Sequence, residues 1–428
     1  GLHTTQVSAD RKILIFGITC NLALLAYYKY AGFFVANTSQ IFGLQWNIGE
    51  IILPLGISFF TFTQIAYLVD AYRKEVREYQ FSHYLLFVTF FPHLIAGPVL
   101  HHAEIMPQFS KAATFRASSE NFAVGLTIFF IGLFKKVMIA DHLAGYATPV
   151  FAAAQAGEPL SALAAWGGAL AYTFQIYFDF SGYSDMAIGL ARMFGIVFPA
   201  NFNSPYKCAN IIGFWRCWHM TLSRFLRDYL YIPLGGSRCS PWRRHANLMV
   251  TMLLGGLWHG AGWTFVIWGG LHGCYLVINH LWQTLTAERL SPLPDGWSWL
   301  GRLSGLCLTF LCVVVAWVFF RAESLSAAMT MLDAMVGNNG LGKQDDYFRG
   351  ASETNFLILS AIVVWWAPNA QEIMRNFRPA LDTYDHQRPE PRFLLWQPNG
   401  RWALVTGLLG AIAAMNMSGV SEFLYFQF

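Results

Sequence analysis

Stretches of about 20 consecutive apolar residues recur along this chain, and no other feature restricts its fold so tightly, since a run of that length crosses the hydrocarbon of a bilayer as a helix. Such windows fall at 13–34, 50–70, 83–100, 121–140, 158–178, 183–200, 246–268, 270–284, 301–320, 355–368 and 402–418. They predict an all-α polytopic membrane protein with about ten or eleven transmembrane or re-entrant segments, read as one domain over 1–428. Composition agrees. The 428 residues are 55% hydrophobic and 12% charged, against roughly 25% charged in soluble domains. An apolar excess of that size cannot hide in one water-soluble core, so disorder, a secreted disulfide scaffold and a soluble nucleic-acid binder are all excluded. The seven cysteines are scattered without a CxxC pair and read as reduced. The net charge of +4 fits basic cytoplasmic loops better than a polyanion site.

Several segments are broken. Phe90-Phe91-Pro92-His93-Leu94-Ile95-Ala96-Gly97-Pro98 carries two prolines and a glycine at membrane-like hydropathy. Irregular backbone survives at that depth only where protein or a water-filled cavity satisfies it, so this stretch reads as a re-entrant element lining a cavity. Arg73-Lys74-Arg77, Lys135-Lys136, and Arg238 with Arg243-Arg244 are expected at cytoplasmic ends. The polar stretches 337–350, with Asp345 and Asp346, and 375–401 read as extramembrane loops. Between Ile211 and Tyr231, Trp215, Trp218, Leu222, Phe225 and Tyr229 recur at helical spacing while Arg216, Ser223 and Arg227 fall on another face. That pattern predicts an interfacial amphipathic helix over 211–231. The first apolar run, Ile13 to Phe34, is interrupted by Lys29 and has no small-residue cleavage site behind it, so no signal peptide is expected.

Chemistry is most plausible at three histidines set among glycines and tryptophans: His219 in Phe214-Trp215-Arg216-Cys217-Trp218-His219, His259 in Gly255-Gly256-Leu257-Trp258-His259-Gly260, and His272 in Gly269-Gly270-Leu271-His272-Gly273. An ionisable group inside a membrane segment is costly and marks function. His259 stands out, because Gly255, Gly256, Gly260 and Gly262 weaken the helix by roughly 1 kcal/mol each and are expected to leave room for another molecule. An imidazole kept from water favours its neutral form, which suits taking a proton from a hydroxyl. The alternative is a histidine that merely bonds a neighbouring helix.

No metal site is read from the sequence: HExxH and DxD are absent, and the adjacent pair His101-His102 is expected to point in different directions. A GxSxG elbow and a P-loop are absent too. Asp179 and Asp185 are near-membrane carboxylates, expected to be partnered by Arg192, tyrosines or backbone.

Motifs along nearly the whole chain carry a resemblance: Leu53 to Phe60, Phe91 to Pro98, Tyr177 to Gly189, Asn201-Phe202-Asn203-Ser204-Pro205-Tyr206, Phe214 to His219, Leu226 to Gly236, Leu253 to Ala261, and the ending Phe423 to Phe428. Together they resemble the membrane-bound O-acyltransferases, specifically the bacterial alginate O-acetyltransferase type. The resemblance implies helices around a central tunnel, with His259 as the catalytic histidine of a Trp-His-Gly motif and His219, the histidine of an Arg-x-Trp-His motif, as a second catalytic candidate that orients or supports the thioester. Cys217 stands where relatives often carry Arg. About two further spans are implied before the segment that starts this chain. The implied reaction takes an acetyl group from cytoplasmic acetyl-CoA, without metal, toward an exported polysaccharide such as alginate or cellulose. Periplasmic or membrane-anchored acetyltransferases are the implied partners, in a multi-pass protein of the bacterial inner membrane. Arg216, Arg224, Arg227 and Arg238 are candidates for the CoA phosphates, although the bias of positive charge toward the cytoplasm explains them equally well. Peptidoglycan or teichoic acid is an alternative acceptor. A transporter or flippase is the rival class, but it predicts paired repeats, and the sequence holds none. A membrane glycosyltransferase needs an acidic site, and the acidic pair Asp345-Asp346 lies in a polar loop.

Overall fold

The computed structural model describes residues 2–417 apart from 47, 50, 77–79, 95, 96, 290–297, 343–346, 348–350 and 382–393. Arg77, Asp345, Asp346 and the ending Phe423 to Phe428 lie outside the described residues. The described part is helical, with no strand.

The chain opens with α1 (Leu2–Leu25), a π turn (Ala26–Tyr30) and α2 (Ala31–Phe42), which run on as one rod. Gly56, at φ 71°, then turns the backbone into α3 (Ile57–Tyr72), which packs along α1. A left-handed residue at a tight reversal is where glycine is needed. α4 (Phe81–Thr89) stops short of Pro92, a single 3-10 turn (Phe91–His93) follows, and α5 (His102–Phe109) restarts the chain. Pro92 and His93 are buried, so this irregular stretch sits against protein.

Next come α6 (Ser119–Phe134), a π turn (Lys135–Ala140) and α7 (Asp141–Ala156). α8 (Ala162–Met193), capped by the Ser161 hydroxyl, is the axis of the fold and is buried over most of its surface. Two separate windows, 158–178 and 183–200, were expected here; the structure makes one helix of them. Asp179, Ser181, Ser184 and Asp185 interrupt the hydropathy, but all four are buried in protein, so the helix continues through them. α9 (Ile211–Cys217), α10 (Met220–Leu226) and a π turn (Arg227–Tyr231) lead into the antiparallel pair α11 (Pro241–His259) and α12 (Trp263–Arg289). The chain ends with α13 (Ser298–Arg321), α14 (Leu325–Met335), α15 (Ala351–Trp366), the short α16 (Ala370–Ile373) and α17 (Gly400–Met415).

By length and composition, three helical runs among the described residues can cross a membrane: Asp10–Phe42, Ser119–Ala156 and Trp299–Arg321. The shorter apolar helices Leu325–Met335, Ala351–Trp366 and Gly400–Met415 accompany them.

Glycine seams hold the interior. Gly125 and Gly132 of α6 meet Gly189 and Gly182 of α8, and a Cβ on any of the four would lie within 2.7 Å of the opposite backbone oxygen. Small residues at such a spacing let two helices touch backbone to backbone, the packing that works without a hydrophobic driving force.

Ion pairs cross the same contact. Lys135 Nζ lies 2.6 Å from Asp185 Oδ2, and Lys136 Nζ lies 2.8 Å from Asp179 Oδ1 and 2.5 Å from Asp141 Oδ1. Lys135 and Lys136 therefore do not mark a helix end, as their basic character suggested; they sit mid-run in Ser119–Ala156. The carboxylates of Asp179 and Asp185 take these lysines as partners, and Arg192 reaches the Phe377 carbonyl instead.

Candidate active site

His259 is the last residue of α11, 4% exposed. The helix ends because Gly260 takes up extended backbone, at φ −163°. The glycines around it serve a different purpose from the one expected. A Cβ at Gly256 would strike the Phe265 carbonyl and Gly269, and one at Gly260 would strike the Phe265 ring, while one at Gly255 would press on Leu226 at 3.3 Å and one at Gly262 would meet only ordinary contacts. The space freed by Gly256 and Gly260 is thus filled by α12. What surrounds the imidazole is aromatic: Trp258, Trp268 and Phe320 have ring centroids 4.8, 5.1 and 5.1 Å away.

His219 sits where the predicted amphipathic helix breaks. In place of one helix over 211–231, the structure has α9, α10 and a π turn, with His219 at φ 43° between the first two. A left-handed conformation costs a non-glycine residue roughly 1–2 kcal/mol, so packing must enforce it. Trp218 and His219 turn inward, 2% and 0% exposed, which no surface helix allows. His219 Nδ1 lies 3.0 Å from Asn201 Oδ1, and the Thr221 hydroxyl donates to the same oxygen at 2.9 Å. The Asn201 amide donates in turn to Ser184 Oγ at 3.1 Å. Because Asn201 Oδ1 only accepts, His219 donates through Nδ1, and Nε2 carries the lone pair. Nε2 has no hydrogen-bond partner among the described residues.

His272 belongs to the same cluster. Its Nδ1 accepts from Trp215 Nε1 at 3.3 Å, and its ring lies 4.9 Å from Trp268. The three histidines singled out in the sequence are therefore strung through tryptophans, with Trp258 between His219 and His259 and Trp268 between His259 and His272.

Lys29 is the residue that sequence reasoning passed over. It lies in the π turn between α1 and α2, where its Nζ donates to the Trp258 carbonyl and to Ser58 Oγ, the latter at 3.1 Å. The neighbouring Tyr30 hydroxyl donates to the Leu257 carbonyl at 2.7 Å. Both satisfy carbonyls that the end of α11 leaves open. The interruption of an apolar run by one lysine was the available signal.

A cavity of about 530 Å³ opens between α9, α10, α11 and α12. Arg216, Arg224 and Arg227 line it, with Thr221 and Met252 also in its wall. Three of the four predicted arginines thus share one cavity; Arg238 does not line it. Arg224 is held in a two-pronged contact with Glu104, at 2.5 and 2.8 Å, and Arg227 pairs with Asp228 at 2.7 and 3.1 Å. The cavity approaches the histidines closely, since Thr221 in its wall shares the Asn201 oxygen with His219.

The expectation for His101 and His102 fails. His101 is extended and His102 begins α5, so the two rings stack with centroids 4.8 Å apart. Both approach Asp70.

The model of the MBOAT, membrane-bound O-acyltransferase family, matches residues 57–315. Over 366 residues the chain is 46% identical to a peptidoglycan O-acetyltransferase of Helicobacter pylori, covering 79% of this chain and 68% of that protein. It is 46% identical over 343 residues to a probable alginate O-acetylase of Pseudomonas aeruginosa, covering 78% of this chain and 62% of that one. Against a probable alginate O-acetylase of Pseudomonas putida the identity is 39% over 449 residues, covering 100% and 87%.

Proposed function

The chain belongs to the membrane-bound O-acyltransferase family and is an acyltransferase, and on that premise we propose that it takes an acetyl group from cytoplasmic acetyl-CoA for O-acetylation of an exported polysaccharide, with His259 as general base. One observation carries the reading: the arginine-lined cavity shares its wall with the histidine cluster, through Thr221, bonded to the Asn201 oxygen that holds His219, and Trp215, bonded to His272. Arg216, Arg224 and Arg227 are suited to the CoA phosphates, as guanidinium groups pair with phosphate oxygens through charge-assisted hydrogen bonds.

His259 takes the proton of the attacking hydroxyl as its oxygen bonds to the thioester carbon. The C–S bond breaks, and the proton passes to the departing CoA thiolate. A thiolate leaves readily, free thiols having a pKa near 8.5, so one base suffices and no paired carboxylic acid is needed. His219, fixed by Asn201, positions the thioester.

The polymer acceptor is alginate or cellulose, reached through periplasmic or membrane-anchored partner acetyltransferases, and the site of action is the bacterial inner membrane. A second acceptor, peptidoglycan, is favoured by the 46% identity to a protein of that name over 366 residues.

The test is turnover of radiolabelled acetyl-CoA by the protein in nanodiscs. His259→Ala is expected to lower it by about 10²-fold or more, the usual contribution of a positioned base, while the protein still accumulates in the membrane. Near-parental turnover by a well-folded His259→Ala protein overturns the assignment.

A further inference from the structure

We propose that Asp70, His101 and His102 form a binding site for one zinc-like divalent cation, separate from the histidines around His259. The three residues come from distant elements: Asp70 from the last turn of α3, and His101 and His102 from the start of α5. Their ligand atoms all lie within 4.8 Å of one another. Asp70 Oδ2 is 3.0 Å from His101 Nε2 and 3.4 Å from His102 Nδ1. A tetrahedral zinc site with bonds of about 2.0–2.1 Å has ligand-to-ligand edges of roughly 3.3 Å, so the two Asp70 edges already match and the imidazoles need close by no more than about 1.5 Å to admit the ion.

A second observation points the same way. Asp70 is 1% exposed and His102 3% exposed, yet Asp70 Oδ1 and both nitrogens of His102 lack a hydrogen-bond partner among the described residues. Buried polar atoms are nearly always satisfied, and an unsatisfied group demands a ligand, water or ion to explain it. Two imidazoles with one carboxylate select a borderline cation such as zinc over magnesium or calcium, which take oxygen donors. The Tyr229 hydroxyl donates to Asp70 Oδ2 at 2.5 Å and lies 2.6 Å from His101 Nε2. On binding, His101 exchanges the phenol for the ion, Tyr229 continues to orient the carboxylate, and water completes the coordination.

The ion would join α3, α5 and the π turn that follows α10. α5 also carries Glu104, which grips Arg224 at the cavity wall.

The test uses the full chain in detergent, purified without a metal-affinity tag, stripped with chelator and titrated with zinc or cobalt(II). One zinc per chain by mass spectrometry is expected, with the intense visible absorption of tetrahedral cobalt. Asp70→Asn and His102→Gln should each lose the ion, and His259→Gln should keep it. The cobalt spectrum of the parent requires no variant, so misfolding of a variant cannot obscure the outcome. Absence of that spectrum, a zinc content well below one per chain, or zinc lost in His259→Gln but retained in Asp70→Asn overturns the proposal.

Discussion

Replacing Lys135 by methionine leaves the Asp185 carboxylate on α8 without its cation, and the structure allows the effect to be sized. The pair is separated by 2.6 Å, with side chains 15% and 9% exposed. At that distance, and with the effective dielectric of about 20 that suits buried sites, the attraction is roughly 6 kcal/mol. Desolvation of both ions offsets part of it, which is why deleting one partner of a buried pair typically destabilises by about 3–5 kcal/mol, whereas deleting both is far milder. An unfolding entropy of roughly 2.1 cal/mol/K per residue amounts to about 0.9 kcal/mol/K over this chain, so the single variant should melt about 4 °C lower. Asp185→Asn is the matching change, because it preserves volume beside Gly132, where a Cβ would already lie 3.0 Å from the Asp185 Cβ. Thermal unfolding in detergent should place the Lys135→Met/Asp185→Asn double variant between Lys135→Met and the parent. A double variant no more stable than Lys135→Met, or a single variant within 1 °C of the parent, would refute the reasoning.

Lys29→Met should lower acetyl-CoA turnover several-fold, since losing the Nζ donor to the Trp258 carbonyl releases the end of α11 by roughly 1 kcal/mol; unaltered kinetics would return Lys29 to a purely structural role. Alanine at both Arg216 and Arg227 should raise KM for acetyl-CoA several-fold with kcat little changed, as expected when binding is lost equally from ground and transition states. A cysteine placed at Ser240, in a background lacking the native cysteines, should resist a membrane-impermeant reagent on intact spheroplasts, and strong labelling would reverse the orientation assumed for the arginine-lined cavity.

The candidate site was legible where a residue was out of place in its surroundings. His259 beside a run of glycines is chemically conspicuous in an apolar sequence, His272 shares that setting, and His219 stands out in a run of tryptophans instead. What those glycines do was not legible, because Gly256 and Gly260 answer to α12, whose approach depends on the fold. The break at His219 was hidden for a different reason: nothing in a non-glycine side chain announces a positive φ that packing imposes. Trp215, Trp218 and Leu222 keep helical spacing across the break, so periodicity read straight through it. Lysine partners for Asp179 and Asp185 were equally invisible, since lysines in a membrane protein read first as cytoplasmic markers, and the pairs join helices through a π turn that leaves no sequence signature. His101 and His102 were dismissed on the geometry of regular structure, yet they straddle the junction where regular structure begins.

The ring of tryptophan and phenylalanine around His259 also bears on fidelity. A thioester brought to a base is open to two nucleophiles, the intended hydroxyl and water at roughly 55 M in the surrounding solvent, so an open site would squander donor. At 4% exposure, walled by Trp258, Trp268 and Phe320, the imidazole is shut off from bulk solvent, and closed active sites suppress hydrolysis in this way. With His259 as the proposed base, this lining would set the ratio of transfer to waste, and shortening Phe320 should raise the share of acetyl groups released as free acetate.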